Sequence, residues 1–405
     1  MSSSSARFAS APSATPSAHA LPFARRRLRL GITGVGSSVL LAATLLLAVW
    51  QAWIPLDASW RMQPGLGGIA LSVFALTMAV YLVHALLMLP VEHAGGRRAI
   101  RQVPPLARWF AAWLRGVLVL ALLASAAMTA LVTAGIVGGT RAAVLTSAGL
   151  AALVLTAQGL LARLVSRMAL RALPAALVGE VQEAGLAAQD VRVVDVDDEA
   201  FVGGWVGALR PRLWMPARWT GSGMQTLRRV QWIRRGVQLK SGARMRGWWA
   251  AVLWPALGLW LSVSLLPFAW DDARLWLALP AMSTLWSFVA VLLLPTLSRP
   301  AVYHADAEAA RVVGVENTAH VISQLDQWQD YEPERRPLVE SIFHPVPSAG
   351  NRARRLHEDL TADNRGGHQQ TRLTLLSSLV AGSVLGRVVH CNIGRPSLWV
   401  LYPGD

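Results

Sequence analysis

The run GVLVLALLASAAMTALVTAGIVGGT, from Gly116 to Thr140, contains no charged residue and no histidine. A bilayer core takes about 20 such residues as one helix. Similar runs lie on both sides of it, at Gly31–Leu56, Ala142–Ala162, Gly247–Trp270 and Leu275–Ser298. Another, Met62–Val91, is interrupted only by His84. The pattern predicts a membrane α-helical protein that crosses the bilayer about six times. Leu373–Gly386, flanked by Arg372 and Arg387, is too short to span and reads as a buried or interfacial helix. Pro255 and Pro280 fall inside the fifth and sixth runs, where membrane helices tolerate proline and kink.

Composition agrees. Of 405 residues, 54% are hydrophobic and only 15% charged, against about 25% charged in an ordinary soluble domain. The excess of basic residues gives a net charge of +15. Arginines concentrate in the first 30 residues (Arg7, Arg25, Arg26, Arg27, Arg29) and between runs two and three (Arg97, Arg98, Arg101, Arg108, Arg115). The opposite loops hold only Arg61, Arg141 and Arg274. The positive-inside rule then places the N-terminus and both hydrophilic regions in the cytoplasm, under the inner (plasma) membrane. Basic charge on that face is explained by anionic lipid headgroups. No aromatic-basic motif points to nucleic acid, which is excluded as a partner. The single cysteine, Cys391, rules out an internal disulfide and a Cys-rich zinc site.

Five regions follow: a disordered basic tail at 1–30, four spans at 31–162, a hydrophilic segment at 163–246, two spans at 247–298, and a hydrophilic helical segment and tail at 299–405. In the first hydrophilic segment, Pro174–Ala188 reads as an amphipathic helix with Leu177, Val181 and Leu186 on one face. Val191–Val196 and Leu213–Met215 read as strands, with a turn at Gly203, Gly204 and Gly207. Thr226–Met245 reads as an Arg-rich helix. In the second segment, Ala305–Val313, Thr318–Trp328, Pro337–Phe343 and Asn351–Glu358 read as helices. The two segments face one compartment and can form a single small α+β domain. Arg228, Arg229, Arg244 and Arg246 read as contacts to anionic headgroups. Trp248, Trp249, Trp254, Trp260 and Trp270 suit interfacial belts.

This order resembles the HtpX-like and CAAX-prenyl-protease-like family of integral-membrane zinc metallopeptidases. Four landmarks carry the resemblance. Val191–Val196 followed by Glu199-Ala200-Phe201-Val202-Gly203-Gly204 is like the family's strand before N-A-F-A-x-G. Arg210–Pro216 is like the strand before the zinc helix. Ser298-Arg299, Tyr303, Ala305-Asp306, Ala309-Ala310 and Gly314 match the second-helix pattern in order and spacing. His344-Pro345, followed by Arg352, Arg354 and Arg355, is similar to the closing motif.

The resemblance implies a zinc site, and this chain lacks the residues for it. The family's chemistry needs two histidines one helical turn apart, with a glutamate beside the first to activate water. Aligned on Lys240-Ser241-Gly242, the first His and the Glu fall on Arg234 and Arg235, and the second His on Gln238. The third ligand, a Glu before Tyr303 in the family, is Val302. From Phe201 to Trp270 there is no Asp, Glu, His or Cys. The resemblance therefore implies a proteolytically inactive relative without a cofactor, one that binds membrane proteins or peptides at the inner membrane face. Tyr303, Asp306, His344, Pro345 and Arg352 are the family-motif residues that remain. Two other readings stand beside it. One is an active zinc metalloendopeptidase with a relocated metal built from His304, His344 and an acid. The other is a small-solute transporter using His84, an ionisable group at membrane depth; a neutral His hydrogen-bonded inside the bundle is the simpler reading of His84.

Overall fold

The computed structural model describes residues 20–55, 65–99, 104–196, 198, 200–329, 331–358, 373–379 and 382–401. Among them, five helices are long and apolar enough to cross a membrane. They belong to α1 (Ala20–Trp50), α2 (Leu66–Ala99), α3 (Leu106–Thr156), α7 (Ala243–Leu265) and α8 (Ala273–Val313). Gly139 decides how the longest is used. Its backbone takes φ 68° and ψ −168° in the middle of α3, a conformation open to glycine and costly for other residues. The Arg115 Nε donates to the Val165 carbonyl at 2.9 Å. A straight 51-residue helix would be about 76 Å long, so this bond requires the chain to fold back. The runs Gly116–Thr140 and Ala142–Ala162 are two legs of a bent α3, continued by α4 (Gln158–Ser166).

A four-stranded sheet follows α4, in the order β1-β2-β4-β3. β1 (Leu170–Ala172) pairs antiparallel with β2 (Val191–Val194), and β2 runs parallel to β4 (Arg212–Pro216) with Val193 opposite Met215. β3 (Gly204–Val206) closes the other edge antiparallel to β4. The expected glycine turn is thus partly a strand. Gly203 and Gly207 have positive φ at its ends, while Gly204-Trp205-Val206 is extended between them. The amphipathic segment before β2 is a short turn plus α5 (Val178–Glu183), and Leu177, Val181 and Leu186 enter one core. That core also takes Val191, Val193, Leu213 and Met215 from the sheet, and Leu227 and Val230 from α6 (Gln225–Lys240). Ala309 of α8 joins it, with Val321 and Leu325 of α9 (Val315–Gln329). Both hydrophilic segments therefore share one core.

Several boundaries differ from the expectation. α1 begins at Ala20, inside the stretch read as a disordered tail, and Arg27 is buried with its guanidinium on the Gln329 carbonyl at 2.8 Å. The Arg-rich helix ends at Lys240, because Gly242 has φ +70° and starts α7. The sixth apolar run and the Ala305–Val313 helix form one helix, α8, which carries Pro280, Pro295 and Pro300 without interruption and stops at Gly314, φ +96°. Trp254 and Trp270 also pack within the bundle. Trp254 stacks on Trp286 with ring centroids 4.5 Å apart, and the Trp270 ring fills the space a side chain at Gly135 would need.

The short apolar stretch near the C-terminus becomes α12 (Leu373–Ser377) and α13 (Gly382–Val388), and its described side chains are buried within the helical bundle, apart from the half-buried Val384. α10 (Pro337–Phe343) and α11 (Ala349–Glu358) complete the hydrophilic unit.

Candidate functional site

α6 and the distal half of α8 lie against each other, with α11 beside them. Every polar residue on the inner face of α6 is buried: Arg228, Gln231, Arg234, Arg235 and Gln238 recur at three- and four-residue steps. Arg234 Nε donates to Asp306 Oδ1 at 2.8 Å. Arg352 Nε donates to Asp306 Oδ2 at 2.7 Å, and its Nη2 to Oδ1 at 2.8 Å. The three residues are 0%, 1% and 5% exposed in the order Arg234, Asp306, Arg352. A buried Arg–Asp–Arg triad thus ties α6, α8 and α11 together. Gln238 is one turn beyond Arg234 on α6, and Val302 is one turn before Asp306 on α8; both are buried. Arg235 holds the Gln238 amide oxygen at 3.4 Å, and its own carbonyl accepts from Trp205 Nε1 at 3.0 Å.

The remaining motif residues gather around the same part of α8. The Ser298 hydroxyl donates to the Pro345 carbonyl at 2.8 Å. Arg299 lies 4.0 Å from Glu340, which accepts from the Ser348 amide and the Asn351 side chain at 3.0 Å. The Arg355 guanidinium sits 5.6 Å from the Tyr303 ring centre. Tyr303 lies beyond Ser298; burial first, and Glu340 second, push its hydroxyl pKa up, against the pull of Arg299, Arg352 and Arg355. His344 is buried with its ring 4.7 Å from that of His390.

Zinc does not fit this arrangement. A zinc centre needs close N, S or O ligands, at about 2.0–2.3 Å. Here the nearest groups are two guanidiniums, an amide and a valine, and two cations already occupy the carboxylate of Asp306. Among the described residues no group of three or more His, Cys, Asp and Glu could hold a metal. His304 and His344 do not rebuild one.

Two of the basic residues expected to meet lipid headgroups do not. Arg228 is buried, bonded to both Glu180 oxygens and to the Trp219 and Gly221 carbonyls. Arg244 is buried against the Gly207 carbonyl. Both lie on inward faces, where internal acceptors replace phosphate. Arg229 and Arg246 remain exposed. His84 shares a hydrogen bond with the Ser38 hydroxyl at 3.0 Å, inside the bundle. Its replacement by Ala is expected to cost about 1 kcal/mol for that bond and to leave proteoliposome flux at background. Flux abolished by the substitution would restore the transporter reading.

One feature was not visible in the sequence motifs. The C-terminal segment runs through the bundle. Arg387, fully buried, pairs with Glu92 at 2.7 Å, and Trp113 Nε1 bonds the same carboxylate. Arg395 Nε reaches Asp198 at 2.8 Å, just after β2. A Cβ added at Gly31 would lie 2.7 Å from His390, at Gly95 2.9 Å from Ile393, and at Gly116 2.8 Å from Trp399. Glycines on three different helices make room for this one strap. Its signal in the sequence is the pair Arg387 and Arg395 in an apolar tail.

No family model matches the sequence, and no curated protein matches it. By fold the chain is similar to the crystal structure of S. mikatae Ste24p, with TM-score 0.56 and 10% identity, over 83% of this chain and 99% of that one. At that identity the likeness is one of fold. The chain is a mostly helical, multi-pass membrane protein with a Ste24p-like fold.

Proposed function

We propose that this chain is a non-catalytic relative of the HtpX-like and CAAX-prenyl-protease-like enzymes, one that binds membrane proteins or peptides at the inner membrane face. It crosses the membrane about six times, with its N-terminus and sheet domain in the cytoplasm. The observation that carries the reading is the Arg234–Asp306–Arg352 triad. It lies where the motif alignment puts a zinc ligand, and it holds positive charge where a protease needs a divalent cation. Two like charges at short range repel even in a solvated setting, and here the side chains are buried. The motif positions offer no metal ligand set, and the Asp306 carboxylate is already held by two guanidiniums, so this arrangement has no group free to activate the water that peptide hydrolysis requires.

The purified full-length protein is expected to contain zinc well below one equivalent and to leave unfolded protein substrates and prenylated peptides uncut. Elemental analysis and a peptide-cleavage assay check both. Stoichiometric zinc that disappears on changing His304 or His344 to Ala would overturn the proposal and favour an active enzyme with non-standard ligands. Orientation is tested separately, by reporter fusions after Trp50 and after Arg246.

A further inference from the structure

A cavity lies away from the triad, between the cytoplasmic half of α1 and the middle of α8. Its volume is about 220 Å³, several times the ~30 Å³ share of one water. Leu28, Ile32 and Val35 line one wall, Phe288 and Val291 the other, and Leu375 the floor. Cavities lined this way stay dry and take apolar matter. The mouth is on the outside of the bundle: Ile32 is 45% exposed, and on α8 Leu293 and Leu297, close in sequence to the lining residues Leu292 and Pro295, are 56% and 55% exposed. These faces would meet the hydrocarbon of the bilayer. Gly36 also lines the cavity, and a Cβ built there meets nothing within 4 Å. The opening therefore persists a full turn deeper than Ile32.

The residues above the mouth are basic. Arg25, Arg29, Ile32 and Gly36 are spaced by four, three and four residues, with Leu28 and Val35 between them at the same helical spacing from Arg25 and Ile32, so they form a single stripe along α1. Arg25 and Arg29 are exposed at its cytoplasmic end. From Arg29 to Gly36 the helix rises about 10 Å. An apolar slot of that depth, under two exposed guanidiniums at the membrane surface, has the layout of one anionic phospholipid: phosphate above, acyl chain below.

We propose that this cavity holds an acyl chain of an anionic phospholipid, with its headgroup on Arg25 and Arg29. The site rests on the membrane placement proposed above and not on the absence of catalysis. The C-terminal strap supplies part of its wall through Thr374, Val389 and His390, so the bound chain also covers one side of the strap.

The test uses the full-length protein in liposomes of phosphatidylglycerol and phosphatidylcholine, with a trace of phosphatidylglycerol bearing a diazirine in its acyl chain. After irradiation, adducts mapped by mass spectrometry are expected on peptides containing Leu28–Gly36, Phe288–Pro295 and Val389–Cys391. Gly36→Phe, placed in open space and so compatible with folding, is expected to reduce them at least fivefold. Arg25→Gln and Arg29→Gln are each expected to cut the preference for the anionic over the neutral probe by about fivefold, from the roughly 1 kcal/mol per basic residue near such a surface. Adducts spread evenly over all exposed helix faces, unchanged by Gly36→Phe, would overturn the proposal. So would labelling that a lipidated peptide displaces and excess phosphatidylglycerol does not, because the occupant would then be a lipidated protein. Carbonate extraction of native membranes separates the two levels: a chain released by carbonate would refute the membrane placement itself, whereas a retained chain without focused adducts refutes only the site.

Discussion

Asp306→Ala is expected to lower stability by about 3–5 kcal/mol, the cost of stripping the counter-ion from buried charges. Asp306 is the carboxylate between Arg234 and Arg352, and both guanidiniums are shielded from water. Removing it leaves two positive charges facing each other in a medium that screens poorly. A thermal or denaturant melt of the detergent-solubilised protein reads the loss. The converse experiment separates charge pairing from shape. Replacing all three residues together, Arg234→Met, Asp306→Leu and Arg352→Met, is expected to be close to neutral, because buried ion networks pay heavily for desolvation and apolar packing of similar volume substitutes for them. If the triad were an artefact of an empty metal site, Asp306→Ala would instead change stability only in the presence of zinc. A melt of Asp306→Ala within 1 kcal/mol of the parent, with and without chelator, would show that the triad does not hold α6, α8 and α11 together.

The triad also shows what a sequence can and cannot reveal. That Arg234 replaces a metal ligand was legible from the alignment of short motifs, because spacing along a helix fixes which face a residue takes. That Asp306 turns to Arg234 was not, since the pairing joins residues 72 apart through the approach of two helices. The Arg-rich helix was misread for a related reason. A run of arginines beside an apolar span suggests a lipid-facing surface, and the rule behind that reading assumes that charged side chains seek water or headgroups. Arg228 and Arg234 instead find carboxylates from Glu180 and Asp306 inside the fold. Burial of arginine is permitted when each charge is paired, and single-sequence reasoning has no means of supplying the partner.

The apolar helices were the most legible part of the fold, because hydropathy is local and bilayer thickness sets the length needed. Their joints were less so. Hydropathy divides Gly116–Thr140 from Ala142–Ala162 at Arg141, but the backbone device at that joint is Gly139, whose φ of 68° no hydropathy scale registers. α8 runs on past the end of its apolar stretch for the opposite reason. Its polar end at Arg299 marked a change of solvent, and a helix can continue through such a change when its far half is buried against protein, as Ala305, Asp306 and Ala309 are. β3 was missed because three residues flanked by glycines resemble a turn until β4 is present to pair with them.

Glu92→Ala is expected to release the C-terminal strap. Glu92 and Arg387 are both wholly buried, far apart in the chain, and paired within the helical bundle. Arg387 also lies over the rings of Tyr81 and Trp399, at 5.5 and 5.1 Å. These rings soften the loss of a carboxylate but do not replace it: a cation–π contact is worth about 0.5–2 kcal/mol, whereas an unpaired buried charge costs about 3–5. The balance favours withdrawing Arg387 toward water, and the strap moves with it. Cys391 makes the movement measurable, since it is buried and the sole cysteine of the chain. Thiol labelling in the parent is expected to be slow and to require opening of the strap. In Glu92→Ala it should accelerate at least tenfold, with earlier cleavage of the C-terminal segment under limited proteolysis. Arg387→Leu together with Glu92→Leu removes both charges and should bring labelling back near the parent rate. If Glu92→Ala and the parent label at the same rate, the strap is held by its apolar contacts with the glycine-lined helices alone, and Gly116→Val, whose Cβ would press on Trp399 at 2.8 Å, becomes the substitution that frees it.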